Sequence, residues 1–356
     1  MSKTDFDLIV AGAGIVGIST ALWAQKEGLK TLICDPAPPG SGTTYGSACT
    51  IATYACIPVN SSTIFKSLPH LLTSKDSPLS FNLTHGLKNP RWMLSFLNNC
   101  RHSRVKHITQ ALGNFLRHAD GGLDPLITEA NAQDLIVSND CLYVWSSRSG
   151  FENAATSNAM RAEQGVVFDE LGPDEIRALE PNLQRPMHRG LRFKGARHIT
   201  DPQELVRRMQ VRFEALGGTY LPQKIDRTQA DDTGVTAFLG DGTQIRGKRL
   251  ALTAGARSGQ IKGSGAEHTP LGTERGYHII YRNHGASIAR PVGWAEAGFY
   301  ATPMAEGLRI AGTVEINAID APFNTNRTEY LRRKSHEMFG NIGTPDTTWI
   351  GHRPTL

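Results

Sequence analysis

The chain has 356 residues, 38 Lys and Arg against 33 Asp and Glu for a net charge of +5, and 39% hydrophobic and 20% charged residues. That composition is ordinary for a globular protein, and the length exceeds what a single core usually organises, so two lobes are expected. The five cysteines (Cys34, Cys49, Cys56, Cys100, Cys141) are odd in number and lack metal-ligand spacing, which argues against a disulfide framework and a metal site and for a reducing compartment.

Residues 6–11, FDLIVA, are a continuous apolar run of the kind that forms a strand buried on both faces. GAGIVG follows at once, with Gly12, Gly14 and Gly17 in G-x-G-x-x-G spacing, and then ISTALWAQKEG with helical periodicity. A second apolar run, KTLICD, ends in Asp35. Each part has a physical task in binding a dinucleotide. Gly12 permits a tight turn, Gly14 lets the backbone approach a pyrophosphate, and Gly17 lets the helix pack on the strand. Between them Ala13, Ile15 and Val16 bring backbone N–H groups of the helix N-terminus toward the phosphates. Asp35 is placed to accept from ribose hydroxyls, and an acid there disfavours a 2′-phosphate, so NADP is not expected. The run 6–24 lacks a signal peptide's basic start and cleavage spacing and is too short and Gly-rich to span a bilayer. A cytoplasmic protein is expected.

The next stretch, PAPPGSGTTYGSACTI (36–51), is small, polar and turn-rich. RHSRVKH (101–107) and, far downstream, RTEYLRRK (327–334) are basic clusters without a nucleic-acid motif. They are read as solvated helix faces; no nucleic-acid partner is expected, and a weak peripheral contact with an acidic inner membrane face stays open. LGPDEIRALEPNL (171–183) reads as a capped helix. In HITDPQELVRRMQVRFEALGGTYL, Asp201 is a helix cap, Pro202 suits the first helical position, Glu204 is placed for a capping box, and Gly217 and Gly218 end the helix. The segment 223–256 reads as a β-meander closing on the buried strand RLALTAG. Residues 263–345 alternate in β fashion around GYHIIYR, GFYATPM and GLRIAGTVEI before the basic helix TEYLRRKSHEMFG, and the chain ends on TTWIGHRPTL.

TTYGSAC (Thr43, Thr44, Tyr45, Gly46, Ser47, Ala48, Cys49) resembles the T-S-x-x-N-A-G loop that lines FAD in the D-amino-acid oxidase superfamily, with Ser47 and Cys49 replacing the usual Asn and Gly. The order of elements resembles that family from residue 6 to 356. It comes nearest to the D-amino-acid dehydrogenase (small subunit) branch through GLRF, GLRIAGTVE and RGYHI.

The resemblance implies an α/β fold of the two-dinucleotide FAD-binding type, a parallel sheet plus β-meander, with a second α+β substrate domain on an antiparallel sheet. The expected boundaries are 1–85, 150–262 and 346–356 for the FAD-binding domain, and 86–149 and 263–345 for the substrate domain. FAD is expected to be non-covalent, with Ile225 near adenine and Thr253, Ala254 and Gly255 near its phosphates and ribose.

The implied reaction is oxidation of an amino acid, in the first instance a D-amino acid, by hydride transfer from Cα to flavin N5, giving an imine and then an oxo acid. The electron acceptor, a quinone or an electron-transfer chain among others, is left open. Alternatives are an O₂-using glycine, sarcosine or imino-acid oxidase, and a flavin-binding fragment or subunit without turnover. Arg353, in Gly351–His352–Arg353–Pro354, matches the family's G-x-R-P motif, whose arginine grips the substrate carboxylate. Tyr277 and His278 are secondary candidates, for the carboxylate and the amine proton; on one strand they face opposite ways. The family continues past R-P with a turn, a strand and a Gly-rich loop, so a truncated C-terminus, with Arg353 on a frayed end, is expected.

Overall fold

The computed structural model describes residues 5–59, 77–82, 86, 89–283 and 285–356. The strands are β1 (Phe6–Ala11), β2 (Thr31–Cys34), β3 (Thr50–Ile51), β4 (Leu79–Phe81), β5 (Ile136–Val137), β6 (Cys141–Trp145), β7 (Phe168–Leu171), β8 (Arg189–Phe193) and β9 (Arg197–Ile199). They continue with β10 (Thr219–Leu221), β11 (Ile225–Asp231), β12 (Gly234–Leu239), β13 (Gln244–Leu252), β14 (Gly272–Tyr281), β15 (Val292–Trp294), β16 (Phe299–Met304), β17 (Gly307–Ile316) and β18 (Thr347–Thr355). The α-helices are α1 (Ile15–Lys26), α2 (Pro90–Asn99), α3 (His102–Leu116), α4 (Ala119–Glu129), α5 (Arg148–Asn153), α6 (Ala155–Glu163), α7 (Pro173–Leu179), α8 (Pro202–Ala215) and α9 (Thr325–Phe339).

One sheet runs β10-β2-β1-β13-β12-β11. Its first four strands are parallel and the last three form an antiparallel meander. The unbroken apolar run of β1 follows from its place between β2 and β13. Val10 packs on one side with Ile18, Leu22, Ile33, Val206 and Phe213 of α1, β2 and α8. Ile9 and Ala11 pack on the other with Leu32, Ile225, Ala237 and Leu239. Burial of each such aliphatic side chain stabilises the fold by about 1.5–3 kcal/mol. At the start of α8, Asp201 accepts from the amides of Gln203 and Glu204 at 3.1 and 2.9 Å. Glu204 does not complete the expected capping box; it is drawn outward to Arg207 and Arg208 instead.

The second sheet runs β18-β14-β17-β16-β15-β6-β8-β7, with β4 pairing β17. It is mostly antiparallel, with β15–β6 and β17–β4 parallel. The boundaries read from sequence need correction here: β7, β8 and β18 fall in the stretches 150–262 and 346–356 assigned to the dinucleotide-binding half, yet pair in the second sheet. The cause is long-range registry. β8 aligns with β6 from Cys141↔Phe193 to Trp145↔Arg189, and β18 aligns with β14 from Gly272↔Thr355 to Ile280↔Thr347. A small third sheet, β3-β9-β5, follows the loop 43–49. All five cysteines are buried and free. Among the described residues no helix is long and apolar enough to cross a membrane, and no cluster of metal-ligating side chains occurs.

Candidate active site

The turn between β1 and α1 is as crowded as its glycines suggest. Gly12 has φ +112°, and a Cβ there would sit 2.6 Å from the carbonyl oxygen of Thr253. A Cβ on Gly17 would fall 1.9 Å from the carbonyl of Gly12. Thr253, just past β13, locks the turn: its amide bonds Ala11 O at 2.9 Å and its hydroxyl reaches Ala11 O and Gly12 O at 2.9 and 3.1 Å. Ala254 and Gly255 (φ +57°) then turn the chain away, and Ile225 is buried at the start of β11. The amides of Gly14, Val16 and Gly17 find no acceptor among the described residues, and Val16 is exposed. Three free N–H groups at a helix N-terminus, in a turn whose Gly12 and Gly17 admit no side chain, suit a phosphate. Asp35 accepts from Ala13 N at 2.7 Å and Ala37 N at 2.8 Å, one bond per carboxylate oxygen, so each oxygen keeps a lone pair for a further donor.

The loop 43–49 lies against this turn. Thr44 Oγ1 accepts from Ile15 N at 3.0 Å, and Thr43 Oγ1 donates to His352 O at 3.1 Å. Several of its carbonyls are held by the second sheet. Thr302 Oγ1 donates to Ala48 O at 2.9 Å. Arg309, on β17 and fully buried, donates Nη1 to Tyr45 O at 2.5 Å, Ser47 O at 3.0 Å and Cys49 Sγ at 3.2 Å, while Nη2 pairs with Glu306 at 2.7 Å. Cys49 holds φ +61°, and burial pushes its thiol pKa up. Sequence reading missed Arg309. The available signal was a charge in the middle of the apolar strand GLRIAG, where burial requires a dedicated set of acceptors.

The same sheet face carries Arg353 and His278. Side chains alternate along a strand, so Trp349, Gly351 and Arg353 of β18 lie beside His278 and Gly276 of β14. The Arg353 guanidinium extends across Gly276, where a Cβ would meet Nη2 at 2.4 Å, and Nη1 donates to Thr313 O at 3.4 Å. Arg353 is half-buried, has no ion pair among the described residues, and has its pKa lowered by burial, with Glu274 acting in the opposite sense. The expected frayed end is corrected: Arg353 sits inside a nine-residue strand paired along its length with β14.

His278 is fully buried. Its Nδ1 lies 3.3 Å from Gly46 O, its ring stacks on Trp349 at 5.1 Å, and Nε2 has no partner. Burial first, then the charge of Arg309, pushes its pKa down to about 3, so the ring is neutral. Tyr277 points to the opposite face, where its hydroxyl donates to Glu315, itself paired with Arg275 at 3.1 Å, and its ring meets Phe323 edge-on. Tyr277 and Arg353 are therefore not brought together. Tyr300 stacks on Tyr143, as packing would have it. A charged groove of about 810 Å³ beside Lys26, Glu129 and Arg212 touches none of these residues, and its charges are already paired.

A sequence profile of the family described as FAD dependent oxidoreductase (DAO) matches residues 7–356. A D-amino-acid oxidase of Bradyrhizobium diazoefficiens is 29% identical over 355 residues, covering 98% of this chain and 84% of that protein. A D-amino acid dehydrogenase of Dechloromonas aromatica is 24% identical over 393 residues, covering 98% of this chain and 86% of that protein. Among solved structures, glycine oxidase from Geobacillus kaustophilus superposes with a TM-score of 0.70 at 13% identity, over 98% of this chain and 82% of that one.

Proposed function

The chain belongs to the DAO family of FAD-dependent oxidoreductases, and on that premise we propose that it oxidises a free amino acid, in the first instance a D-amino acid, at the Cα–N bond. Arg353 supports this reading most directly. A half-buried guanidinium with no carboxylate partner, held over a glycine, is the natural receptor for a substrate carboxylate, which it grips through two parallel N–H bonds. FAD, when bound, supplies the two-electron acceptor that no side chain provides. The Gly12–Gly17 turn, Asp35 and the loop 43–49 would hold it without a covalent link, with Ile225 and Thr253–Gly255 along its adenosine and phosphate end.

The chain's own contribution is placement. Arg353 fixes the carboxylate so that Cα and its amine present a single orientation, and orientation of this kind carries much of the catalysis in such a site. His278 is neutral, so it adds no further positive charge beside Arg309 and Arg353, and its unpartnered Nε2 remains available to the substrate amine. The substrate imine then hydrolyses to an oxo acid and ammonia. Tyr277, which faces the other way, holds Arg275 and Glu315 beneath the sheet rather than the substrate.

The electron acceptor divides the relatives, one being called an oxidase and the other a dehydrogenase. The test is to mix the flavin-loaded protein with D-amino acids, their L-isomers and glycine without oxygen, and then to admit oxygen. Bleaching of the flavin by D-isomers with oxo-acid release is expected; peroxide on re-oxidation assigns an oxidase, and its absence a dehydrogenase. Bound flavin that no amino acid reduces defeats the proposal and leaves a flavin-binding subunit without turnover.

A further inference from the structure

We propose that helices α2 and α3 dock this protein onto a bilayer surface bearing anionic headgroups. Between Asp76 and Asp120 the sequence contains no acidic residue, while it holds Lys88, Arg91, Arg101, Arg104, Lys106 and Arg117. The net charge of the whole chain is +5, so the residues outside this segment sum to −1. The protein is basic because of one segment. Its charges are also largely uncommitted. Lys106 approaches Glu163 only at 3.8 Å, with both side chains half-exposed, and Arg117 bonds Asn114 and Gly113 O. Arg91, Arg101 and Arg104 are exposed and form no ion pair among the described residues.

Charge alone is usually a solvated helix face. The second observation is apolar. Phe115 and Leu94, at 78% and 68% exposure, are the two most exposed large hydrophobic side chains among the described residues, and both lie in this segment. Helix α3 buries Val105, Thr109 and Gly113. At 3.6 residues per turn the stripe opposite carries Arg104, His107, Ala111, Phe115 and His118, all exposed. On α2, Trp92 is buried while Arg91, Leu94 and Asn98 face outward. Cationic and large apolar side chains thus share the outward faces of both helices.

That pairing selects the partner. A lipid interface accepts both kinds of side chain at once, cations among the headgroups and Phe and Leu at the acyl boundary. A nucleic acid would use the charges and leave Leu94 idle. The helices have 10 and 15 residues, short of the roughly 20 that a spanning helix needs, so they would lie along the surface.

The test is flotation of the 356-residue chain with vesicles of phosphatidylcholine alone and with vesicles containing phosphatidylglycerol, at low and high salt. Binding to the anionic vesicles should be at least about tenfold stronger and should fall with salt. At about fivefold per arginine, Arg91→Glu, Arg101→Glu and Arg104→Glu together should weaken it on the order of 100-fold. Leu94→Ser with Phe115→Ser should weaken it on the order of tenfold. Both variants should keep the parent's melting temperature and flavin content, because every substituted side chain is exposed. Equal binding to neutral vesicles, binding that both variants retain, or association with duplex DNA but not with vesicles would each overturn the proposal.

Discussion

Arg309 Nη1 donates to the carbonyl of Ser47 at 3.0 Å, across 262 residues of sequence. One buried guanidinium on the second sheet thereby fixes the shape of a loop that belongs to the first. The same group also serves Tyr45 O, Cys49 Sγ and Glu306, so four acceptors depend on one side chain.

Arg309→Lys should therefore loosen the loop although the charge is kept. A single ammonium cannot span that set of acceptors, and the part-buried carbonyls of Tyr45 and Ser47 would lose their donor. We expect a loss on the order of 3 kcal/mol in stability, with native secondary structure retained and FAD bound roughly tenfold more weakly. Thermal melts and FAD titration measure the two effects. Parent-like values in both would show that the loop holds its shape unaided.

Asp35→Ala should weaken FAD binding and leave the fold intact. The carboxylate orients the Gly turn through Ala13 N and keeps free lone pairs toward the crevice. Losing hydrogen bonds to a charged acceptor costs about 1.5–3 kcal/mol, or roughly 10- to 100-fold in Kd. Asp35→Asn, which retains one acceptor oxygen, should fall between the two. Equal affinity in all three proteins would remove Asp35 from the cofactor site.

The contrast between Gly17 and Arg309 shows what was legible in the sequence. Strand, glycine turn, helix and acid lie within thirty-five residues, and their spacing alone dictates the turn, since any Cβ at Gly17 would strike Gly12 O. The meander was legible for the same local reason. What was hidden depends on pairing between distant segments. Alternation stated that Tyr277 and His278 diverge, but only the β14–β18 register settles that His278 shares a face with Arg353. Nothing local to TTWIGHRPT assigns it to the second sheet, and nothing local to GLRIAG shows which carbonyls await its arginine. Glu204 was misread because two arginines outcompete one backbone amide for its carboxylate.

Arg353→Lys should act on substrate affinity more than on cofactor content. Lysine keeps the charge but offers no planar pair of donors, and its ammonium would not reach across Gly276 in the same way. Loss of a bidentate charge-assisted contact is worth about 1.5–3 kcal/mol, so KM should rise roughly 10- to 100-fold, with a smaller fall in kcat and normal flavin occupancy. An unchanged KM would place the substrate carboxylate elsewhere.

His278 should make the fold sensitive to mild acid. In the unfolded chain its imidazole takes a proton near pH 6.5, whereas in the folded protein burial and the facing Arg309 hold its pKa at about 3, opposed only by the Gly46 carbonyl. Tyr45 and Trp349, the other groups packed on the ring, offer no carboxylate to stabilise a cation. Below pH 6.5 the unfolded state therefore binds a proton that the native state refuses, and stability falls as pH falls, by up to about 1.4 kcal/mol per pH unit. The loss is fully absent above the unfolded value and is complete only near the folded one. Between pH 8 and pH 5 this residue should account for about 2 kcal/mol. His198 and His352 also have pKa values lowered by burial, so the parent profile will be steeper than His278 alone predicts. The diagnostic quantity is the difference between parent and His278→Phe in urea unfolding across that range. Phenylalanine keeps the stack on Trp349 and loses the Gly46 bond, a penalty that does not vary with pH. A gap between the two proteins that narrows by about 2 kcal/mol on acidification is expected, and parallel profiles would mean that His278 is protonated, or solvated, in the native protein.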